Sequence, residues 1–330
     1  MYAFGLLEPE TIKNKLWVLM LLSFMFSSVS IWLAYNIFPS YSSILAVVFA
    51  VIPFIPLVNA VLELQEEGCE WIAVANTKDI IYDSIYPKLD KDKKEVISSY
   101  LQNVSFIDRN FDSLKVYAFF FIGISISFIL WYLILPEEEY DQGGRIIKIP
   151  TVEMVFSEQT KVFMYLHGNQ STGKVADSIV GGYTFNKILI NNIIILFLCF
   201  SLTFILGSGG ALFILSWNAS VIATAIGIET NVILSGIGYS FVNYVTTVIQ
   251  VASSLLLHGV PEITAYFLGA IAGGILAALI SRRERYEWMR YRFVYVSVSK
   301  EILILMVVAV LLIVLGAGIE FWMIESLQPL

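Results

Sequence analysis

Long uncharged stretches, broken by short charged ones, dominate the chain. The first runs from Leu16 to Ile37, and the turn Phe38-Pro39-Ser40-Tyr41 separates it from a second, Ile44 to Leu62. A third covers Val116 to Leu135. From Ile188 to Ile228 there is no charge, and Gly207-Ser208-Gly209-Gly210 divides that run into two passes. Between Thr230 and Ser281 the only acidic, basic or histidine side chains are His258 and Glu262, and a last helix is predicted from about Glu301 to Trp322. A bilayer core takes about 20 apolar residues per helical pass. The pattern predicts an all-α polytopic membrane protein of about seven transmembrane helices. Pro53 and Pro56 predict a kink in the second helix, which neighbouring helices in a membrane can accommodate.

The polar stretches divide the chain into three parts. Residues 1–62 form an N-terminal transmembrane hairpin. Residues 63–115 form a charged insert in which Ile80-Ile81-Tyr82 with Ile85, and Val96-Ile97 with Tyr100-Leu101, repeat at helical spacing around a break at Pro87. These predict a small hairpin of amphipathic helices. Residues 116–330 form a membrane domain with a loop region at 136–187, opened by Glu137-Glu138-Glu139. Runs rich in β-favouring residues, Arg145 to Ile149 and Lys161 to Leu166, predict short strands in it.

Composition agrees with the pattern. The chain is 58% hydrophobic and 14% charged, against about a quarter charged in soluble domains. Net charge is −7 with no basic stripe, which argues against nucleic acid as a partner. Cys69 lies in a polar stretch and Cys199 in an apolar run, so neither a disulfide nor a zinc framework is expected. Glu8 and Glu10, with no small-residue cleavage site, mark the first run as a retained helix and not a signal peptide.

Basic loops stay cytoplasmic. With Lys13 and Lys15 inside and seven net crossings, 15 Lys/Arg lie inside and five outside. This predicts a multi-pass protein of the cell membrane, N-terminus cytoplasmic and C-terminus external. Residues 63–115 and 282–300 are then inside, and 136–187 outside. Thr230–Ser281 is too long for one pass, so a re-entrant or interfacial segment is predicted near 231–257.

One set of residues has a recognisable order. Asn191-Asn192 opens a membrane helix, a Gly-rich turn follows, and Asn218 lies in the next helix. Then comes His258-Gly259-Val260-Pro261-Glu262-Ile263, followed by the small-residue helix Leu268-Gly269-Ala270-Ile271-Ala272-Gly273-Gly274. From Val116 to Trp322 this order resembles the stage II sporulation protein M family. Leu7-Glu8-Pro9, Trp17 and Ile37-Phe38-Pro39 look like the N-terminal extension of archaeal members. Where the family has Asn-Gly and a further Gly four residues on, this chain has Asn218-Ala219 and Ala223. The resemblance implies an integral membrane protein. In spore-forming bacteria the family anchors a peptidoglycan-remodelling complex during engulfment. An archaeal-type member would lack that wall, so the resemblance implies a membrane-scaffold role without requiring the same process.

The site candidates are therefore Asn191, Asn192, Asn218, His258, Gly259 and Glu262. His258 and Glu262, four apart, share a face on a continuous helix, and an ionisable group in a membrane is costly and suggests function. Glu262 could bind a cation, relay a proton or meet a partner's basic residue. The plainer reading makes it the cap of a helix beginning at Pro261. Gly269 and Gly273 form a Gly-x-x-x-Gly pair for close helix packing, within the chain or between copies. Glu229 reads as an exposed turn between passes. Gly168-Asn169-Gln170-Ser171-Thr172-Gly173-Lys174 copies most of a phosphate-binding loop. Val175 replaces the magnesium-holding Ser/Thr, so a Gly-rich loop tip is expected, and Asn169-Gln170-Ser171 is a glycosylation sequon. No catalytic constellation stands out, and no metal site or cofactor is expected. The sequence thus predicts a non-enzymatic membrane scaffold that organises other membrane or envelope proteins within the lipid bilayer, as a single chain or as a homo-oligomer. The alternative is a small transporter or permease built around the intramembrane carboxylate Glu262.

Overall fold

The computed structural model describes residues 15–60, 106–137, 140–142, 145–147, 149–167, 181–281 and 288–326. The insert predicted at 63–115 falls outside these residues up to position 105, as does the loop Gly168–Lys174. Among the described residues, seven helical segments are long and apolar enough to cross a membrane: Leu16–Ile37, Pro39–Ala60, Asn110–Ile134, Phe185–Leu206, Ser208–Ile237, Phe241–Ser281 and Val298–Ile324. The protein is an all-α polytopic membrane protein.

Helix α1 (Leu16–Ile37) is serine-rich. Ser23, Ser27 and Ser30 are buried and turn their hydroxyls onto carbonyls of their own helix, which leaves a smooth, small-residue face. Against that face lies α3 (Phe106–Ile134), which begins ten residues before the predicted start at Val116. Gly123 is needed there, because a methyl group would strike Ser23 and the Met20 carbonyl. One turn on, the Ser28 and Ser127 hydroxyls meet at 3.0 Å. Between these helices in sequence, α2 (Ser42–Val51) runs into a tight 3₁₀ turn, Ile52–Phe54. Pro53 has no N–H to give an α-helical ladder, so the predicted kink takes this form.

Residues 140–167 hold a small hairpin, β1 (Tyr140–Gln142) with β2 (Arg145–Ile147), and two short helices, α4 (Val152–Val155) and α5 (Ser157–His167). The strand predicted at Arg145–Ile149 is thus present in part. The one predicted at Lys161–Leu166 is helix α5 instead. Phe156, Gln159 and Phe163 are buried at positions i, i+3 and i+7, a helical stripe that overrides the β-favouring composition. Phe156 packs on Phe128 and Tyr132 of α3 at ring distances of 6.2 and 4.9 Å. Gln159 accepts from the Ser43 hydroxyl (2.5 Å) and donates to the Ser43 carbonyl (3.2 Å) and to Ser220 (3.1 Å).

Four long helices complete the bundle: α6 (Gly181–Leu206), α7 (Ser208–Ile237), α8 (Phe241–Ser281) and α9 (Trp288–Ser326). A single residue, Gly207, joins α6 to α7 with φ 65° and ψ −153°, a backbone conformation essentially confined to glycine. Asn59 of the second membrane pass accepts from the Ser208 N–H at 3.0 Å, at the corner where α7 begins. Glu229 lies inside α7, half-buried, and not in a turn. Ala219 and Ala223 are fully buried in α7.

Of the re-entrant or interfacial segment predicted near 231–257, the re-entrant form is not what the chain adopts. Residues to Ile237 continue α7, and 241–281 are one 41-residue helix with Pro261 inside it. A proline in a helix interior removes one backbone donor but does not have to end the helix when neighbours support it. The helix 241–281 is thus a single candidate span.

Candidate functional site

The site forms where α6 and α8 run side by side in the same direction. Successive contacts step by four on both helices. Leu196 lies against Gly269 and Phe200 against Gly273. A methyl on Gly269 would come within 2.5 Å of Leu196 Cδ1, and one on Gly273 would strike the Phe200 carbonyl. The Gly-x-x-x-Gly pair thus serves close packing inside the chain. With no hydrophobic drive between helices in lipid, such backbone proximity supplies much of the attraction.

One turn earlier on α6 and two turns earlier on α8, this approach brings polar groups together. The Asn192 amide donates to Glu262 Oε1 at 2.5 Å. The Asn192 oxygen accepts from the Tyr266 hydroxyl at 2.9 Å and, more weakly, from the Asn191 amide at 3.4 Å. Helix α9 closes the cluster from the other side. Its Gly316 leaves no room for a side chain, because a methyl would come within 2.5 Å of Glu262 Cγ and 3.1 Å of the His258 carbonyl. Glu262 is 9% exposed.

Glu262 is therefore not a helix cap. Pro261 stands twenty residues inside α8, so no helix begins there, and the carboxyl's partner is an amide on another helix. Nor does Asn191-Asn192 open α6, which starts at Gly181 and carries the pair in its third turn.

Above this cluster lies a cavity of about 930 Å³. It is lined by Asn191, Asn192, Asn218, His258, Gly259 and Glu262 together. The six residues singled out in the sequence, spread over 72 positions, thus converge on one space. His258 and Glu262 share a face as their spacing predicts. Asn218 donates its amide to the Ile214 carbonyl at 2.8 Å, leaving its oxygen as the group it can offer. The walls are apolar, with Ile126 from α3, Leu198 from α6, Trp217 from α7 and Leu256 from α8. Lys187 lines one end, held by the Tyr165 carbonyl and lying 4.7 Å from the centre of the Tyr165 ring.

Sequence reasoning passed over four contributors. Tyr266 was within reach, being one helical turn beyond Glu262. Glu320, a cavity-lining acid, was a lone charge in the last apolar run. Ser125 and Gly316 carry no local signal, because their roles depend on which helices meet. Among the described residues, no group of three or more His, Cys, Asp or Glu side chains is placed to hold a metal ion.

Residues 116–323 match the family model described as Stage II sporulation protein M. No curated protein and no solved structure matches the chain.

Proposed function

Because the chain belongs to the stage II sporulation protein M family, we propose that it is a non-enzymatic membrane scaffold that organises partner proteins. The supporting observation is the length of the α8–α9 pair. Helices of 41 and 39 residues are each about 60 Å long at 1.5 Å per residue, against a bilayer core of about 30 Å. Even at a 40° tilt, the upper end of the usual range, such a helix spans about 46 Å along the membrane normal. The pair therefore carries helical surface past the apolar core and ties it to the bundle through Gly316 and Glu262. That is a geometry for presenting a fixed surface to proteins outside the lipid.

The reading extends to placement. The 15-to-5 excess of basic residues supports a cytoplasmic N-terminus, a cytoplasmic insert at 63–115 and an external C-terminus. Leu7-Glu8-Pro9 and Trp17 support an archaeal-type member. The test is deletion in the native cell combined with photo-crosslinking from the protruding helix ends. Partners that crosslink there are expected to lose their membrane position when the protein is deleted. Unchanged positions of every crosslinked protein would overturn the scaffold reading.

A permease is the second reading, favoured by one observation. The cavity reaches Glu262, an ionisable group inside a candidate membrane span, and such groups mark ion and substrate paths. Solute flux into proteoliposomes that depends on Glu262 would decide for it.

A further inference from the structure

We propose that the groove between α3 and α6 seats one hydrocarbon chain of a bilayer lipid, which enters sideways from the membrane. Both helices pack on α7 and on α8, yet they do not pack along each other. The cavity of about 930 Å³ occupies the gap between them, with α7 and α8 as its floor. Its rim is apolar and open. Ile122 and Ile126 of α3, with Ile194 and Leu198 of α6, line the cavity and are also exposed. All four lie within candidate membrane spans, so the medium beside them is hydrocarbon. On α8 the lining runs from Ala252 to Tyr266, and on α7 from Phe213 to Ile226. The groove is therefore about 20 Å long at 1.5 Å per residue. One leaflet of a bilayer core is about 15 Å deep, so a chain lying along the helices fits that length.

Three fillings compete for such a slot. Left empty, the lining forfeits its dispersion contacts. Water needs several polar partners, and the α3 and α7 sides offer few. Among their lining residues Ser125, Trp217 and Asn218 carry polar groups, and the Asn218 amide is bound to the Ile214 carbonyl. The rest, such as Phe121, Ile129, Phe213 and Val221, are apolar. A hydrocarbon chain gains contacts along that whole surface, and in lipid such packing is what drives association. The other side of the groove carries a polar band: Lys187, Asn191 and Asn192 on α6, His258 and Glu262 on α8, and Glu320 on α9. Donors and acceptors of both signs stand in that band, so it selects no one head group. What the groove recognises is the chain.

The proposal stands apart from the scaffold reading, and its failure would leave that reading untouched. The test uses the full chain in phosphatidylcholine nanodiscs. Part of the lipid is a phosphatidylcholine with a diazirine midway along one acyl chain. After illumination, adducts are mapped by mass spectrometry. They are expected on the outward-facing Leu21 and Met25 of α1, which any surrounding lipid reaches, and also on Ile214 and Trp217 of the groove floor. Ile126→Trp narrows the opening and Val221→Trp fills the floor. Each is expected to abolish the floor adducts while leaving those on α1 unchanged. If neither variant folds, the adducts on the unsubstituted protein decide alone. Adducts on α1 with none on the floor overturn the proposal, as do floor adducts that persist in every folded variant. An excess of oleate separates the two sources of a chain. Floor adducts that survive it support a bilayer lipid. Their loss, with the α1 adducts intact, would assign the seat to a free fatty chain and overturn the bilayer source.

Discussion

At the scale of single residues, Asn192 and Glu262 depend on each other. The amide of one is matched to the carboxyl of the other at 2.5 Å, deep in an apolar bundle. Glu262→Gln keeps an oxygen to accept from Asn192, so it is expected to fold with near-normal yield in detergent. Glu262→Leu orphans the buried Asn192 donor, a loss of about 1–3 kcal/mol. It should lower the thermal midpoint and the folded yield. Paired melting curves of the two variants measure this, and equal curves would show that the hydrogen bond contributes nothing to stability. A Gln variant that folds but is inactive in the cell would assign the charge itself a function. The polar candidates were legible in the sequence because charge and amides are rare in an apolar run, so His258, Glu262 and the Asn pair stood out unaided. The role of Glu262 was not. Proline next to an acid is the local pattern of a helix start, and only the twenty residues of helix before Pro261 show that the pattern is misleading here.

At the scale of elements, the seven passes could be read from the chain, since each apolar run must satisfy its backbone within a helix when lipid surrounds it. What could not be read were elements whose form is decided by neighbours. Lys161 to Leu166 has strand-like composition, yet α5 is helical because Phe156, Gln159 and Phe163 find a buried groove only at helical spacing. Phe156→Ala tests this. Phe156 is fully buried between Phe128 and Tyr132, and its truncation is expected to cost about 3–5 kcal/mol. Limited proteolysis within 157–167 should rise with it. Cleavage as slow as in the unsubstituted protein would mean that α5 holds without its aromatic anchor. The long form of α8 was hidden for a related reason. Residues 231–257 are apolar enough for a second crossing or a re-entrant loop, and composition does not distinguish these from a helix that overshoots the bilayer.

At the scale of the whole molecule, the orientation predicted from basic residues can be checked at the two ends of one helix. Ser240 and Ser281 flank α8 and are both exposed. With the buried Cys199 replaced by Ser and Cys69 likewise, Ser240→Cys is expected to react with an impermeant maleimide on intact cells, and Ser281→Cys only after lysis. The reverse pattern would invert the topology. The Gly207 corner has a consequence in time. Its Ser208 amide is held by Asn59, 149 residues earlier in the chain. At synthesis rates of about 5–20 residues per second, the Asn59 acceptor waits roughly 7 to 30 seconds for its donor to be made. During that interval the first two helices stand in the membrane with their receptor open, and the arrival of α6 and α7 completes them.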